Sequence, residues 1–346
     1  MLTRYNKSYM IIQENISLKP YNTFAINAKA DYLGIFRSIP ELEILLKEYE
    51  HHQPLFVLGG GSNILFTNDF EGIIVKNELS GKELVREDID YYFVRAWAGE
   101  NWHSFVLYCL SNDYYGIENL SLIPGCVGAS PIQNIGAYGV EIRDVFEELE
   151  AYDLQEKRIR IFQKEECRFG YRDSIFKQEY KNRFVILNVT YRLTRQPDPK
   201  TGYGVIEQEL TKMGVTAITP RTVSDAIIRI RSSKLPNPAV TGNAGSFFKN
   251  PVIELSVYEQ IKLTHPDAPG FATGDAHVKV PAGWLIEQCG WKGYRKGDAG
   301  CYDKQALVLV NYGNATGKEI YALSEEIIQS VISRFGIQLE REVNIL

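Results

Sequence analysis

The order of apolar and polar positions near the start of the chain predicts a strand, a helix and a second strand. Residues Asp31 to Phe36 have the pattern of a strand, and Ser38-Ile39-Pro40-Glu41 is a capping box that begins a helix. The apolar face of this helix comprises Leu42, Leu45, Leu46 and Tyr49. Pro54 to Leu58 follows as a strand, so the segment forms a β-α-β unit.

A second set of elements follows further along the chain. Tyr91 to Ala98 predicts a strand, and Asn101 caps the helix after it. Alternating apolar residues from Val185 to Leu193 predict a long strand. Prolines and a glycine then interrupt the pattern in Gln196-Pro197-Asp198-Pro199-Lys200-Thr201-Gly202, which predicts a linker or an excursion.

The C-terminal part of the chain predicts an α+β region. Pro220 to Arg231 has helical spacing, and Leu235-Pro236-Asn237-Pro238 is a rigid turn. Thr316 begins a capping box for a long helix, and Gly336 ends that helix. We expect a last strand from Ile337 to Val343.

Composition and charge narrow the class of protein. With 346 residues, 45% hydrophobic and 23% charged, the chain is typical of a globular protein of two or three domains. Its net charge is −5 and no basic face stands out, so we expect no nucleic-acid partner. Met1 to Lys7 lacks the apolar stretch of a signal peptide, and no stretch is long enough to span a membrane. We therefore expect a cytoplasmic protein without a membrane partner.

The spacing of cysteines and histidines argues against a metal site. The five cysteines contain no C-x-x-C pair, and the five histidines contain no H-E-x-x-H motif. We expect neither a bound metal nor a disulfide framework, and core packing is the expected role of the cysteines.

Three adjacent glycines follow the strand that ends at Leu58, in the loop Gly59, Gly60, Gly61, Ser62 and Asn63. Consecutive backbone N–H groups of such a loop can turn inward and bind phosphate oxygens, which predicts a diphosphate ligand. The loop matches neither G-x-x-x-x-G-K-[ST] nor G-x-G-x-x-G. A plain tight turn is the alternative.

A second glycine-rich segment extends from Leu122 to Gly139. It mixes glycines with amides, hydroxyls and apolar groups, which predicts close approach of the backbone to a flat ligand. A purely structural loop is the alternative.

Two isolated polar residues are candidates for chemistry. Arg172 lies between apolar neighbours, where its guanidinium can grip a carboxylate by two hydrogen bonds or pair with Asp173. Ser246 lacks the G-x-S-x-G motif of a hydrolase nucleophile. It is either a hydroxyl proton donor or a serine at a strand edge.

Together these motifs resemble the UDP-N-acetylenolpyruvoylglucosamine reductase family, flavoproteins of bacterial peptidoglycan precursor synthesis. The resemblance covers nearly the whole chain. It rests on Leu18 to Phe24, Gly59 to Asn63, Ile123 to Gly139, Cys167 to Phe176, Gly242 to Pro251, and Glu342-Val343.

The resemblance implies an α+β fold: a vanillyl-alcohol-oxidase-type (PCMH-type) FAD-binding fold in two subdomains, plus an α+β substrate-binding domain. The expected boundaries are 1–80 for the first FAD subdomain, 81–228 with the strand 336–346 for the second, and 229–335 for the substrate-binding domain. It further implies noncovalently bound FAD, NADPH as hydride donor and UDP-N-acetylglucosamine enolpyruvate as substrate. We expect a monomer.

The resemblance also assigns roles to residues. Ser246 corresponds to the proton donor, and Arg172 and Glu342 to its catalytic companions. The expected cofactor-binding residues are Gly59, Gly60, Gly61, Ser62, Asn63, Ile123, Pro124, Gly125, Gly128, Ser130, Gln133, Asn134, Gly136 and Tyr138. The expected substrate contacts are Tyr203, Lys234, Asn250 and Gln305.

Two positions bear on the branch of the family. Tyr203 matches the longer-chain type I branch, in which an excursion bearing a tyrosine folds over the substrate; a solvent-facing loop tyrosine is the alternative. Longer-chain relatives often have Arg two places after the terminal catalytic Glu, where this chain has Asn344. No direct substrate contact is assigned to that position.

Functions of different classes remain open at this point. One is an NADPH-dependent enolpyruvyl reductase, and another is a flavin or nucleotide-sugar binding protein without turnover. A flavin oxidase with a covalent His or Cys linkage is a third. The presence of Ser246, Arg172 and Glu342 as a set favours the reductase, because a binding protein needs none of them together.

Overall fold

A computed structural model describes residues 12–346, so the expectation for Met1 to Lys7 lies outside the described residues. The strands of this part are β1 (Ile12–Ser17), β2 (Lys29–Phe36), β3 (Leu55–Leu58), β4 (Ile64–Leu65), β5 (Phe70–Asn77), β6 (Lys82–Glu87), β7 (Tyr91–Trp97), β8 (Gly136–Ala137), β9 (Val140–Glu141), β10 (Phe146–Asp153), β11 (Arg158–Gln163), β12 (Phe184–Thr194), β13 (Gly242–Ser246), β14 (Val252–Glu254), β15 (Phe271–Ala272), β16 (His277–Lys279), β17 (Arg295–Lys296), β18 (Ala299–Cys301), β19 (Val308–Asn311) and β20 (Asn344–Ile345). The α-helices are α1 (Ile39–Glu48), α2 (Trp102–Ser111), α3 (Ile142–Val145), α4 (Gly204–Lys212), α5 (Pro220–Lys234), α6 (Leu255–Thr264), α7 (Ala282–Gln288) and α8 (Gly317–Phe335). Short 3-10 helices occupy Lys19–Tyr21, Glu118–Leu120, Val127–Ala129 and Lys164–Cys167.

The chain divides into two compact units. The first contains the described residues up to Ile16, Ala30–Gly60 and Glu71–Ser233. The second contains Ser17–Lys29, Gly61–Phe70 and Lys234–Leu346. Residues 336–346 thus fall in the same unit as residues 234–335. The functional domain boundaries that the resemblance implies stay a prediction.

The first unit begins with a four-stranded sheet of order β1-β2-β5-β3, in which β3 and β5 run parallel. α1 connects β2 to β3, and β5 lies between these two strands. α1 begins at Ser38, whose Oγ accepts the Glu41 N–H at 3.3 Å. The carboxylate of Glu41 accepts the Arg37 N–H at 2.6 Å, one residue beyond the predicted box. The buried residues that join α1 to the sheet include Phe36, Leu42, Leu45, Ile73 and Val75.

A five-stranded antiparallel sheet of order β11-β10-β12-β7-β6 forms the larger layer of the first unit. α2 begins at Asn101, whose Oδ1 accepts the Ser104 N–H at 2.9 Å as predicted. Trp102 and Phe105 of α2 pack against Tyr191 of β12, with ring centroids 5.7 and 5.1 Å apart. All three side chains are fully buried, so this aromatic cluster fixes α2 on the sheet.

Two helices complete the first unit. The apolar pattern did not predict α4 or β6, and it ended α5 at Arg231 rather than Lys234. The cluster that joins α4 and α5 consists of Ile206, Leu210, Val223, Ala226, Ile227 and Ile230.

The second unit contains a sheet of order β13-β19-β18-β17 and a smaller sheet of order β14-β16-β15. α8 begins with the predicted capping box, because the Thr316 Oγ1 accepts the Glu319 N–H at 3.2 Å and the Glu319 carboxylate accepts the Thr316 N–H at 2.7 Å. The helix ends at Gly336, whose φ of 67° is the left-handed conformation that favours glycine.

The prediction of a terminal strand over Ile337 to Val343 is wrong. Ile337, Leu339 and Val343 are buried at alternating positions, which imitates a strand. The terminal strand that does form is β20, which begins one residue after the predicted segment and pairs in parallel with β4. The preceding residues meet the chain after β13 through an isolated bridge between Phe248 and Arg341.

Gly317 and Gly204 are the first residues of α8 and α4 and form a matched pair for a packing test. A Cβ on Gly317 would lie 1.7 Å from the Phe66 carbonyl oxygen, whereas a Cβ on Gly204 would have no heavy atom within 4 Å. We expect Gly317→Ala to lower the free energy of unfolding by about 1–3 kcal/mol or more. Gly204→Ala should change it by less than about 1 kcal/mol. Thermal unfolding followed by circular dichroism measures both, and equal midpoints would contradict the packing at Phe66.

Candidate active site

The two glycine-rich segments singled out in the sequence meet in the first unit. A Cβ on Gly60 would lie 3.0 Å from the Gly125 Cα, so these two loops touch backbone to backbone. A Cβ on Gly59 would have the Cys126 Cβ as its nearest neighbour, at 3.7 Å, which is an ordinary contact. Gly60 is therefore required by packing, while Gly59 leaves room beside the loop.

The rest of the first glycine loop belongs to the second unit, since the boundary falls between Gly60 and Gly61. Gly61 has a φ of 63°, and its carbonyl accepts the Thr23 N–H at 3.0 Å. Asn63 donates from Nδ2 to the Glu342 carbonyl at 3.3 Å. The loop is thus held by several parts of its own unit.

The core of the first unit fixes the segment after Gly125. A Cβ on Gly128 would lie 2.6 Å from the Ala98 Cβ, so only glycine fits there. The hydroxyls of Ser130 and Tyr191 are 2.7 Å apart, and both residues are buried. Burial raises the pKa of Tyr191, so its phenol stays protonated. Of the remaining expected cofactor residues here, Pro124 is exposed and Ile123 and Gln133 are half-buried.

Asn134 is a buried brace between this segment and its neighbours. Its Oδ1 accepts the Arg143 N–H at 3.0 Å, and its Nδ2 donates to a Glu141 carboxylate oxygen at 2.9 Å and to the Gly170 carbonyl at 3.0 Å. The side-chain amide therefore uses both of its donors within the protein. No side-chain donor of Asn134 is therefore left for a cofactor.

Arg172 is held against the same segment. Its Nη2 donates to the Gly136 carbonyl at 2.6 Å, and a Cβ on Gly136 would lie 3.0 Å from its Nη1. Arg172 also has a φ of 54°, an uncommon conformation for a large side chain. Asp173, the alternative partner considered in the sequence, bonds to the Ser174 N–H and to the Gln178 side chain.

Tyr138 lies beneath the predicted lid residue. The rings of Tyr138 and Tyr203 meet edge to face, with centroids 5.9 Å apart and an interplanar angle of 85°. Tyr203 remains 46% exposed, so part of its side chain is accessible. Neither Gly202 nor Gly204 is forced into a left-handed conformation, and both have open space around them.

Arg231 was not among the residues predicted from the sequence. Its Nε donates to the Leu122 carbonyl at 3.3 Å, and its guanidinium bonds to the Tyr138 phenol. Burial lowers the pKa of Arg231, and the bond to Tyr138 opposes that shift. The one sequence signal was its place three residues before Lys234 on the same helix, where it shares a face with an expected substrate contact.

In the second unit, Ser246 and Glu342 lie on paired segments. Ser246 is exposed and ends β13 after Gly245, whose φ is 70° and where the register with β19 shifts. The next residue, Phe247, accepts the Glu342 N–H on its carbonyl at 2.8 Å. The two predicted catalytic residues of this unit are therefore neighbours across the chain pairing.

The expected substrate contacts of the second unit surround the start of α7. The Asn250 Oδ1 accepts the Ala282 N–H at 2.9 Å. A Cβ on Gly283 would lie 2.9 Å from the Gln305 Oε1. Lys234 is the exposed last residue of α5 and lies apart in sequence from this pair.

Asn344 has a structural task. Its Nδ2 donates to the Asn63 carbonyl at 2.9 Å, next to the β20–β4 pairing. An arginine there would exchange this short bond for a longer side chain. The departure from longer-chain relatives thus comes with an added tie between the C-terminus and the glycine loop.

The structure also bears on membrane and metal chemistry. Among residues 12–346, no helix combines the length and apolar character needed to cross a membrane. The same residues contain no group of three or more His, Cys, Asp or Glu side chains able to hold a metal ion.

Sequence comparison defines the class of protein. A family model described as "FAD binding domain" matches residues 31–161, which include the first glycine loop and the segment to Tyr138. Two glycine loops in backbone contact suit a flavin nucleotide, because its phosphates and flat ring demand close approach of the backbone. The chain is therefore an FAD-binding flavoprotein of α+β fold, as predicted.

The family follows from longer matches. The model "UDP-N-acetylenolpyruvoylglucosamine reductase, C-terminal domain" matches residues 237–346. The reductase of that name from Flavobacterium johnsoniae is 49% identical over 338 residues, covering 97% of this chain and 100% of the relative. The one from Chromobacterium violaceum is 49% identical over 334 residues, covering 96% and 98%. The chain belongs to the UDP-N-acetylenolpyruvoylglucosamine reductase family.

A solved structure supports the fold. The UDP-N-acetylenolpyruvylglucosamine reductase of Thermus caldophilus aligns with a TM-score of 0.66 at 24% identity, covering 97% of this chain and 99% of the other. The predicted fold class is confirmed, and the roles of individual site residues stay predictions.

His103 provides a test of the geometry around Leu122. Its Nδ1 accepts the Leu122 N–H at 3.0 Å, so the ring must be neutral, and burial followed by the charge of Arg231 lowers its pKa. The folded state therefore binds a proton less readily than the unfolded chain. The contribution to stability is present above the ordinary histidine value of about 6.5 and is lost as pH falls through the lowered folded pKa.

We expect His103→Asn, whose Oδ1 replaces Nδ1 as acceptor, to flatten the decline of the unfolding midpoint below about pH 6.5. Urea unfolding of both proteins between pH 7 and pH 5 measures it. Parallel declines would show that His103 does not accept this bond.

Proposed function

We propose that the protein reduces UDP-N-acetylglucosamine enolpyruvate to UDP-N-acetylmuramate, with FAD as cofactor and NADPH as hydride donor, in peptidoglycan precursor synthesis. Membership of the reductase family over nearly the full chain carries the proposal. The five free cysteines suit a reducing compartment, which supports the cytoplasm as the proposed location. A monomer is part of the same proposal.

The residues proposed to hold FAD lie in the two glycine-rich segments. The loop Gly59 to Asn63 would hold the diphosphate through backbone N–H groups, and the segment Ile123 to Tyr138 would hold the ring system. When bound, FAD supplies hydride transfer from NADPH to the substrate double bond. The protein supplies orientation and a preorganised electrostatic environment.

Arg172 is proposed to stabilise charge on the substrate. Hydride addition at the terminal carbon of the enolpyruvyl group leaves an electron pair on the neighbouring carbon, delocalised into the carboxylate as an enediolate. A fixed guanidinium that faces those oxygens lowers the barrier, because its position requires no reorganisation during the reaction. The bond from Arg172 to the Gly136 carbonyl supplies that fixed position.

Ser246 is proposed to deliver the proton that completes the reduction. The hydroxyl proton goes to the carbon that bears the ether oxygen, and the electron pair of the enediolate forms the new C–H bond. Glu342 lies on the segment paired to the residue after Ser246 and is proposed to help Arg172 stabilise the enediolate charge. The exposed position of Ser246 after the bulge at Gly245 keeps its hydroxyl accessible to a ligand.

Ser246→Ala tests the role of the proton donor. We expect reduction of FAD by NADPH to stay within about twofold, and reoxidation by the enolpyruvyl sugar to slow by about 10²–10⁴. Stopped-flow absorbance of the two half-reactions measures this, with Ser256→Ala, an exposed serine on α6, as control. Equal slowing of both half-reactions would contradict the assignment. A wild-type protein that binds FAD without turnover would overturn the proposed function and leave only a binding protein.

Two glycine substitutions separate packing from cofactor contact. Gly59→Ala adds a methyl where the protein leaves room, so the apoprotein should keep its unfolding midpoint while FAD binds roughly tenfold or more weakly. Gly60→Ala presses on Gly125, so it should lower both the apoprotein midpoint and FAD affinity. Fluorescence titration of apoprotein with FAD and thermal unfolding without it give the four values. Unchanged FAD affinity in Gly59→Ala would remove the diphosphate from this loop.

A further inference from the structure

Asn119 is a fully buried amide that no step of the proposed reaction uses; its residue is 1% exposed. Its Nδ2 donates to the Tyr138 carbonyl and to the Lys200 carbonyl, each at 2.9 Å. These acceptors are 19 and 81 residues away along the chain. One nitrogen with two N–H groups thus joins two otherwise separate loops.

Both loops belong to the same ligand-facing region of the first unit. Tyr138 closes the segment proposed to lie along the flavin ring. Lys200 lies within the excursion between β12 and α4, three residues before Tyr203. At the end of the excursion, directly before α4, the Tyr203 ring meets the Tyr138 ring edge to face. The excursion therefore meets the Tyr138 segment at two places, one polar and one aromatic.

The orientation of the amide follows from its partners. With the nitrogen and oxygen exchanged, the side-chain oxygen would face two carbonyl oxygens. In the observed orientation the Oδ1 is buried without a hydrogen-bond partner among the described residues. A buried unsatisfied acceptor is unfavourable, so the two donated bonds are what this residue contributes.

The backbone segment that carries Asn119 is held in place by bonds of its neighbours. Glu118 is buried and its carboxylate accepts the Gly116 N–H at 2.8 Å. The Leu120 carbonyl accepts the Trp102 indole N–H at 2.9 Å, and the Ser121 hydroxyl lies 2.7 Å from that of Ser224. The Asn119 amide is therefore presented by a rigid support to a loop whose residues Gln196 to Asp198 are exposed.

We propose that Asn119 is a positioning residue for substrate recognition: by holding the Lys200 carbonyl to the Tyr138 carbonyl, it sets where Tyr203 stands as a lid. This inference rests on the proposed function, in which Tyr203 covers the UDP-sugar. Asn119 does not touch the substrate. It reduces the freedom that the excursion would lose on binding, so substrate affinity gains from the preorganised lid.

Asn119→Asp tests the anchor with almost no change of shape, because it replaces the two donors by an acceptor. Asn119→Ala removes the donors without adding a charge and serves if the first variant does not accumulate. We expect the KM for the UDP-sugar to rise about tenfold in either variant. Reduction of FAD by NADPH should change by less than about twofold, as expected for a residue that acts only on the lid. The matched control is Asn112→Ala, which removes a similar Nδ2 bond, to the Tyr108 carbonyl at 2.8 Å, from the exposed end of α2.

A double-mutant cycle separates positioning from general destabilisation. In a Tyr203→Ala background the lid ring is gone, so adding Asn119→Asp should raise the KM no further. Additive increases would overturn the proposal, because they would mean that Asn119 affects substrate through another route. A rise in KM matched by an equal loss in the NADPH half-reaction would overturn it too.

Hydrogen exchange of the full-length FAD-loaded protein gives a readout that does not depend on activity. The Ile206 amide, which donates to the Tyr203 carbonyl at the end of the excursion at 2.7 Å, should exchange at least about tenfold faster in Asn119→Asp, while the amides of β12 keep their protection. Asn112→Ala should match the wild type in both regions. Unchanged exchange of the Ile206 amide overturns the anchor whatever the activity. If the wild type fails to turn over the enolpyruvyl sugar, the proposed function falls, and the exchange rates alone decide whether Asn119 holds the loop.

Discussion

The need to pair buried polar groups organises the first unit around the segment Glu118–Leu122. Residues 118–121 of this segment are buried. Their backbone and side-chain polar groups form hydrogen bonds to α2, to α5 and to two loops. Leu122 adopts a φ of 59° and gives its N–H to His103 and its carbonyl to Arg231. Since an unpaired buried group is unfavourable, each of these elements must keep its position for the segment to stay satisfied. The candidate active site inherits that rigidity.

Fixed hydrogen bonds hold two cationic side chains beside the glycine-rich segment. Arg172 and Arg231 both touch the glycine-rich segment, through the Gly136 carbonyl and the Tyr138 phenol. Burial lowers the pKa of Arg231 and the charge of Arg172 lowers it further, as expected for two cations held near one segment. Two local cations suit the anionic phosphates and carboxylate of the proposed ligands in a protein whose net charge is −5. Tyr203, by contrast, is half exposed, as a residue that must admit a ligand requires.

In the second unit, long-range backbone pairing holds the proposed site residues in position. β20 pairs with β4, and Asn344 adds a side-chain bond to Asn63. The Glu342 N–H bonds to the Phe247 carbonyl, beside Ser246. The last residues of the chain thus hold Asn63 of the glycine loop, the proposed proton donor and its proposed companion together within the second unit. Each of these contacts joins residues far apart in sequence, so none has a local signature.

The sequence by itself determined the features that depend on near neighbours. Asn101 and Thr316 cap their helices because each side-chain oxygen accepts the N–H three residues later, which is a local interaction. The motifs identified the family because they occur as continuous runs of sequence. Tertiary structure alone decided the rest. The alternation after Gly336 suggested a strand, but pairing with β4 fell later, at Asn344. Arg231 and Asn119 carry no local pattern, because their importance comes from carbonyls that folding brings to them. Hydrogen-bond partners distant in sequence are invisible until the chain is compact.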